Sequence, residues 1–239
     1  MTKILFLLPP SEWKNSENKY ENEELSFNFE KPLDISSNVT EKDLKCKWTR
    51  FEEGLNLNRN ILKSETIESI KRYTGVMYSA IDYENMSKNW KTFFENNFLV
   101  LSWMYGMVKP LDKIWNYKLP IGRVDLYKFW WDKIPEEINK LKPKYIVNLL
   151  PLSYAKLLWL WTDCNRHKKK LEKIISNWTK IININFLKPD WKKISHWVKK
   201  IKWEWVKDIC EKWLENFEEF SWKKIISLNI IDINITIKK

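Results

Sequence analysis

Glycine is scarce in this chain of 239 residues, which contains four glycines and sixteen tryptophans. Glycine ordinarily makes up roughly 7% of a soluble protein, so about 17 would be expected at this length. The two counts taken together are close to that expectation. Because only glycine adopts positive φ without a steric penalty, the turns of this chain lack their usual residue. The composition therefore suggests that tryptophan stands where glycine is expected.

Four tryptophans follow asparagine, aspartate or serine, where a glycine would mark a turn. They lie in Asn89-Trp90, Asn177-Trp178, Asp190-Trp191 and Ser221-Trp222. Trp213 follows an amphipathic run, at a place typical of a helix-ending glycine. Our hypothesis is that the gene reads UGA as glycine, as some bacteria do, so that many of these tryptophans are glycine in the natural protein. The alternative is a chain that is simply rich in tryptophan. The hypothesis predicts strained backbone or exposed indoles at turns.

Cysteines and long apolar runs are also few. Cys46, Cys164 and Cys210 are odd in number and widely separated, which favours reduced thiols over a disulfide framework. Without a run of 18 apolar residues, the sequence predicts no membrane span. The apolar stretch at residues 4–8 is too short for a secretory signal, so we expect a cytoplasmic protein. Cys164 and His167 lack a second pair at zinc-like spacing, and we predict neither metal nor cofactor.

The chain is strongly basic, with a formal net charge of +11 and a pI near 9.3. An excess of positive charge favours a polyanionic partner, of which nucleic acid is the simplest. The alternative is a lysine bias from an AT-rich genome, which the many Asn and Ile residues also indicate. Net charge alone does not separate these two interpretations.

Hydrophobic patterning predicts an α/β (α+β) fold in one compact domain over residues 1–239, with a mixed β-sheet flanked by helices. A helix-hairpin-helix-like segment is expected at about residues 40–72, with its break near residues 46–49. The predicted strands are 3–8, 98–102, 145–150, a hairpin of 180–187 with 192–196, and 224–237. The predicted helices are 82–96, 126–141, 152–161 and 198–214, and residues 9–39 and 105–122 are expected to be irregular or rich in turns.

The segment from Leu101 to Asp112, LSWMYGMVKPLD, resembles the L-S-G-x-Y-G-x-x-[RK]-P-L-D signature of the YaaA family of peroxide stress resistance proteins. Further family-like segments follow the family order and cover nearly the whole chain. They are LPPSEWK at 8–14, GVMY at 75–78, YKLPIG at 117–122, LYKFWWD at 126–132, IVNL at 146–149 and KKIKW at 199–203.

The resemblance bears on the tryptophans as well. The family carries glycine at the positions of Trp13, Trp103, Trp131 and Trp203, whereas Trp130 matches a family tryptophan. One basic position departs from the family pattern, because Lys202 stands where the family has arginine. A lysine there lacks the planar fork with which arginine binds phosphate.

The resemblance implies DNA binding through a helix-hairpin-helix element. In this chain the element corresponds to residues 44–50, where Lys45, Lys47 and Arg50 would surround a backbone phosphate. If glycine replaced Trp48, the backbone could approach that phosphate closely, and the next helix would present its positive N-terminal end. A literal Trp48 would block this approach. The alternative is an ordinary turn between helices with solvated lysines.

A second basic cluster is predicted around the late helix, in which Lys199 and Lys202 share one helical face. It would follow the phosphates of bound DNA, or else form only a solvated surface. Its members are Lys192, Lys193, Lys199, Lys200 and Lys202.

An enzymatic alternative rests on polar residues that follow the first strand, a common ligand site in open α/β sheets. Residues 11–14 could line a cleft together with residues 105–117, which include Tyr105 and Tyr117. Lys14 or Lys109 would bind an anion, and Glu12 or Asp112 would act as acid or base on a nucleotide or nucleic acid. Alternatively, Lys109 and Asp112 only pin a tight turn.

The leading hypothesis is a non-catalytic, monomeric protein of the peroxide stress response that binds double-stranded DNA. It would contact backbone phosphates without sequence specificity. The competing hypothesis is the enzyme just described. A third possibility is a scaffold for a small molecule or protein whose charge reflects genome composition.

Overall fold

A computed structural model describes residues 4–21, 23–119, 124–158, 179–187, 203–204, 226–227 and 230–236. A mixed sheet of seven strands lies at the centre of this part of the chain, in the order β4-β3-β1-β6-β7-β9-β8. The predicted mixed α/β fold is therefore confirmed. The strands are β1 Ile4–Leu8, β3 Phe98–Ser102, β4 Gly106–Val108, β6 Tyr145–Asn148, β7 Lys180–Leu187, β8 Ile226–Ser227 and β9 Ile230–Thr236. A separate antiparallel pair joins β2 Ile67–Glu68 to β5 Lys113–Ile114.

Strand β1 lies inside a parallel block of five strands. It pairs in parallel with β3 on one side and with β6 on the other, and β7 and β9 extend the parallel arrangement beyond β6. Strands buried on both faces need continuous apolar sequence, which Ile4–Leu8 and Phe98–Ser102 provide. The short strands β4 and β8 run antiparallel at the two edges.

The helices of the described residues are short, with eleven residues in the longest. They are α1 Leu33–Ser37, α2 Glu41–Leu44, α3 Thr49–Arg59, α4 Ser69–Arg72, α5 Val76–Ile81, α6 Lys88–Asn97, α7 Val124–Trp130, α8 Lys133–Lys140 and α9 Leu152–Ala155. Three 3-10 turns add Ile61–Lys63, Tyr83–Asn85 and Lys156–Leu158. None of the helices in the described part is long and apolar enough to cross a bilayer.

Two predicted helices differ from the structure. The predicted helix over 126–141 is divided between α7 and α8, because Pro135 has no N–H to donate to the carbonyl of Trp131 and its ring clashes with that carbonyl. The predicted helix over 82–96 begins only at Lys88, after Ser87, whose hydroxyl accepts a hydrogen bond from the Trp90 N–H at 3.3 Å.

The position of Trp90 also corrects one predicted turn. Asn89-Trp90 was expected to mark a turn, but both residues lie in the first turn of α6, where the Trp90 indole is buried. Packing of this indole against Phe94 and Phe98 overrides the local turn signal. The other four proposed turn positions, 177–178, 190–191, 212–213 and 221–222, lie outside the described residues.

The C-terminal predictions are only partly covered by the described residues. Strand β7 has the predicted bounds, whereas its proposed hairpin partner at 192–196 lies outside the described residues. The predicted last strand is divided into β8 and β9. Of the predicted helix over 198–214, only residues 203–204 are described, and they are helical.

Candidate functional site

The hairpin between α2 and α3 (residues 44–50) begins at a well-capped helix. Thr40 and Asp43 form a reciprocal capping box at the start of α2. The helix ends after Leu44, where Lys45 adopts the left-handed conformation with φ 53° and ψ 34°. Such an ending is the usual way to leave a helix abruptly, so the chain reverses within four residues before α3 begins. The predicted break near residues 46–49 is confirmed.

Trp48 holds the tightest backbone position of the hairpin. Its φ is 51° and its ψ is −130°, close to the first central position of a type II′ turn, which glycine dominates. The side chain is 82% exposed, so packing of the indole does not offset the strain of the backbone. The predicted combination of strained backbone and exposed indole is found at this turn.

The tip of the hairpin presents positive charge and free amides to solvent. Lys45, Lys47 and Arg50 are all exposed, and no acidic residue lies between 45 and 50. Within the described structure, the backbone N–H groups of Lys47, Thr49 and Arg50 have no hydrogen-bond partner. Unpaired amides at the start of a helix of eleven residues are an arrangement that commonly binds anions.

A carboxylate of the protein itself reaches the hairpin backbone. Oε1 of Glu41, an exposed residue, accepts a hydrogen bond from the Trp48 N–H at 3.1 Å. The Trp48 amide is therefore paired with a negatively charged oxygen in this structure.

Helix α3 anchors the hairpin to the body of the protein. Gly54 permits close packing, since a Cβ there would lie 2.8 Å from Cδ of Lys118 and 3.0 Å from Cδ1 of Leu44. The buried Asn58 amide donates to the carbonyls of Ser36 and Lys118 at 3.0 and 2.9 Å, and its oxygen accepts from the Lys118 N–H. The hairpin is therefore held rigidly relative to the segment around Lys118.

A second polar site, the edge cleft, lies at the carboxyl ends of β1, β3 and β6. We define it by residues 9–14, 102–105 and 149–154, which follow those strands, together with the tyrosines that face them. The chain passes from β1 to β3 on one side and later to β6 on the other, so the strand order reverses here. Crevices at such reversals are the usual ligand sites of open parallel sheets.

Lys14 is the central residue of the edge cleft. Its backbone pairs with Tyr73 in an antiparallel bridge, and the flanking Asn15 N–H donates to the Arg72 carbonyl at 2.8 Å. Its ammonium nitrogen lies 4.3 Å from the ring centre of Tyr117 and 5.9 Å from that of Tyr73. Within the described residues, that nitrogen has no hydrogen-bond or salt-bridge partner, so two aromatic faces are its recorded contacts.

Enclosure changes the acidity of this lysine. Burial of the amine lowers the pKa of Lys14 from 10.5 to about 7; nearby Glu12 raises this pKa, whereas the positive charges of Arg72 and Lys118 lower it further. A low-dielectric site disfavours the ammonium form. At neutral pH a large fraction of Lys14 is therefore the neutral amine.

A chain of hydroxyl groups lies beneath Lys14. The Tyr117 hydroxyl is 3.0 Å from the Tyr73 hydroxyl and 2.8 Å from the Ser102 hydroxyl. Burial raises the pKa of Tyr117 to about 12 and raises the pKa of Tyr73 well above its usual value, so both stay neutral. Ser102 also accepts hydrogen bonds from the backbone N–H groups of Met104 and Tyr105, which holds this chain at the end of β3.

Lys109 and Asp112 make a turn instead of joining Lys14. The Asp112 carboxylate accepts from the Lys109 N–H at 2.8 Å and from the Ser26 hydroxyl at 2.6 Å. The Lys109 carbonyl in turn accepts from the Ser69 hydroxyl at 2.7 Å. These contacts favour the role of pinning a turn. Of the acidic residues proposed for catalysis, Glu12 lies near enough to Lys14 for its charge to raise the pKa of that lysine.

Several site residues were not foreseen from the sequence. Arg72 and Tyr73 carry no local motif, and Arg72 is fully buried 57 positions from one of its partners, Asn15. Ser102 lies in the family-like segment at 101–112 but was not singled out there. Tyr78 lies in a family-like segment, and its hydroxyl donates to the Pro9 carbonyl at 3.0 Å. Contacts between residues so far apart in the sequence produce no periodic pattern, so the sequence alone could not reveal them.

The remaining predicted sites are only partly covered by the described residues. Cys46 is a half-buried free thiol. Cys164, His167 and the late basic cluster with Lys199 and Lys202 lie outside the described residues.

Comparisons with known proteins place these sites in a family context. The model of the family described as peroxide stress protein YaaA matches residues 4–226. A UPF0246 protein of Rickettsia bellii is 31% identical over 167 residues, covering 64% of this chain and 62% of the relative. A UPF0246 protein of Malacoplasma penetrans is 27% identical over 173 residues, covering 64% and 69%.

A longer match is found in Fusobacterium nucleatum, whose UPF0246 protein is 25% identical over 253 aligned residues, covering 98% of this chain and 93% of the relative. The chain thus spans less than two thirds of the Rickettsia protein but nearly all of the Fusobacterium protein. Since the family model extends from strand β1 into β8, the chain belongs to the peroxide stress protein YaaA family.

Proposed function

We propose that this protein binds duplex DNA through backbone phosphates, without sequence specificity, as part of the peroxide stress response. The observation that supports this proposal is the hairpin at residues 44–50, which offers unpaired backbone amides beside Lys45, Lys47 and Arg50. Amides and basic side chains recognise phosphate oxygens but do not read base edges. Family membership supports the role in peroxide stress.

The hairpin would hold one phosphate at the N-terminal end of α3. The amides of Lys47, Thr49 and Arg50 would donate to its oxygens, while the side chain of Lys47 or Arg50 would pair with its charge. Glu41 would release the Trp48 N–H as the phosphate entered. The net charge of +11 would draw the rest of the duplex toward the protein and speed association.

Fluorescence anisotropy with two duplexes of unrelated sequence tests this proposal. We expect similar affinities for both duplexes and an affinity that falls steeply with salt, because each phosphate contact contributes a slope of about −0.9 in log K against log salt. Combined Lys47→Ala and Arg50→Ala substitutions are expected to make the slope shallower by roughly 1–2, since one or two phosphate contacts are removed.

Two further variants test in the same salt titration whether the hairpin contacts phosphate. Lys140→Ala, which removes an exposed lysine paired with Glu137 on α8, is the matched control and should leave the slope unchanged. Glu41→Gln should strengthen binding, because the competing carboxylate is removed while its shape is kept. Equal slopes for the hairpin variant and the Lys140 control would contradict the proposed contact.

The edge cleft supports a second candidate function, an enzyme that acts on a nucleotide or nucleic acid at residues 11–14 and 105–117. The specific observation is the enclosed amine of Lys14 above the hydroxyl chain of Tyr73, Tyr117 and Ser102. A buried lysine without a carboxylate partner does not form a stabilising ion pair. It is therefore a candidate for a catalytic role. Covalent trapping at Lys14 separates this function from DNA binding alone.

A further inference from the structure

We propose that Lys14 is a nucleophilic amine that condenses with the aldehyde of a deoxyribose phosphate, either free or at a base-free site in DNA. This inference deepens the enzymatic function proposed for the edge cleft, and its DNA-borne substrate rests on the proposed DNA binding. It identifies the chemical class of the substrate and the atom that attacks it.

The surroundings of the Lys14 nitrogen bury the amine without giving it an ion-pair partner. The faces of Tyr117 and Tyr73 enclose it, and within the described structure no carboxylate lies within salt-bridge distance of it. Arg72 does not offer its charge to a ligand, because its guanidinium donates to the carbonyls of Asn15, Glu17 and Ile114. Desolvation of a lysine in an apolar pocket is a known way to activate it as a nucleophile.

Lys118 provides a cation near the Lys14 amine for the phosphate of the proposed substrate. Lys118 lies close enough to Lys14 to influence its ionisation, and within the described residues its ammonium group forms no salt bridge or hydrogen bond. Its stem packs against Gly54 of α3, the helix that begins at the hairpin. A sugar whose aldehyde reaches Lys14 could therefore place its phosphate near Lys118, and Asn58 connects this segment rigidly to the hairpin helix.

The proposed reaction is a balanced condensation. The Lys14 nitrogen attacks the aldehyde carbon, forming a C–N bond and a carbinolamine. Loss of the carbinolamine oxygen as water then gives a C=N bond, with one water released for each aldehyde and amine consumed. Glu12, the carboxylate that interacts with Lys14, can carry protons between the cleft and solvent because its side chain is exposed. The step needs no oxidant or reductant.

Reductive trapping with cyanoborohydride tests the inference in two arms. One arm uses 2-deoxyribose 5-phosphate, and the other uses a duplex with a single base-free site. In both arms we expect a covalent adduct by intact-mass analysis, located at Lys14 by peptide mapping. Lys14→Arg keeps a long basic side chain but forms no stable imine, and should reduce trapping at least tenfold. Lys19→Arg, an exposed position in the same segment, is the matched control and should trap like the parent protein.

The outcomes of the two arms are distinguishable. An adduct with the free sugar but not with the duplex would support Lys14 as the nucleophile. It would contradict a base-free site in DNA as the substrate. Equal trapping by Lys14→Arg and the parent protein, or no adduct in either arm, would overturn the inference. Thermal unfolding of Lys14→Arg confirms that a loss of trapping does not reflect a loss of fold.

A separate observation concerns the indoles, and we infer from it that UGA encodes glycine in this gene. The buried indole N–H groups of Trp90, Trp103, Trp115 and Trp203 have no hydrogen-bond partner within the described structure. Trp130, which matches a family tryptophan, instead donates to the Trp103 carbonyl at 2.8 Å. Buried indoles normally find a partner, so the contrast supports a genuine tryptophan at 130 and glycine at 103 and 203, where the family also carries glycine.

Mass spectrometry of the protein from its own host tests this inference directly. We expect glycine at positions 48, 103 and 203 and tryptophan at 130; tryptophan at all four would overturn it. Independently, Trp48→Gly should raise Tm by about 2–4 °C, because glycine adopts the positive φ without strain. Trp13→Gly is the matched control, since Trp13 is 77% exposed without positive φ and should give no such increase.

Discussion

Arg72→Met is expected to destabilise the protein by about 3–5 kcal/mol, the largest effect of a single substitution that we anticipate. Arg72 is fully buried on the last turn of α4. Its guanidinium donates to the carbonyls of Asn15 and Glu17, to the Asn18 side chain at 2.7 Å and, twice, to the Ile114 carbonyl. Methionine fills a similar volume but leaves these acceptors without a donor.

The loss is large because one side chain joins three separate segments. Arg72 connects α4 to the loop at residues 15–18 and to strand β5. Buried carbonyls left without donors each cost about 1–3 kcal/mol. Lysine at position 72 would not restore these contacts, because an ammonium group lacks the planar fork that reaches several acceptors at once.

Urea unfolding measures this prediction. The matched control is Lys71→Met, since Lys71 is the neighbouring residue, is partly exposed and forms salt bridges with Glu68 and Glu84. Exposed pairs such as Lys71–Glu84 contribute about 0–1 kcal/mol. Because the Glu68 side chain is only 14% exposed, the midpoint should shift somewhat, but less than for Arg72→Met. If Arg72→Met unfolded at the same urea concentration as Lys71→Met, the proposed joining role of Arg72 would be wrong.

The contrast between Arg72 and strand β1 shows what the sequence could reveal. Continuous apolar runs at Ile4–Leu8 and Phe98–Ser102 have the length and hydrophobicity of buried parallel strands, and both were predicted with nearly correct bounds. The hairpin near residues 46–49 was predicted because the helical pattern breaks there. These features are encoded by neighbouring residues, so inspection of the sequence finds them.

Features built from distant residues could not be predicted in this way. The hydroxyl chain joins Tyr73, Ser102 and Tyr117, which are separated by up to 44 positions. Sequence reasoning placed Lys14 and Tyr117 in one cleft, but it also assigned Asp112 to that cleft. The structure instead holds the Asp112 carboxylate on Ser26 and on the N–H of Lys109. Only tertiary packing decides which polar residue of a turn faces a cleft.

The stability of the protein should rise with pH between about 7 and 9 because of Lys14. In the unfolded chain Lys14 keeps its proton up to its ordinary pKa of 10.5, whereas burial lowers the pKa in the folded protein to about 7. Between these values the unfolded state binds more protons than the folded state. The free energy of unfolding therefore increases with pH, by up to roughly 1.4 kcal/mol per pH unit for one group.

Comparison with Lys14→Met isolates this contribution. Urea unfolding at pH 7 and pH 9 should show the parent protein gaining about 2 kcal/mol relative to the variant over this interval. The comparison cancels the titration of groups that the two proteins share, including Lys31. Below about pH 6 the difference should stop changing, because Lys14 is then largely protonated in both states. A difference that stayed constant from pH 7 to pH 9 would mean that the folded protein keeps Lys14 charged, and the neutral nucleophile in the edge cleft would lose its basis.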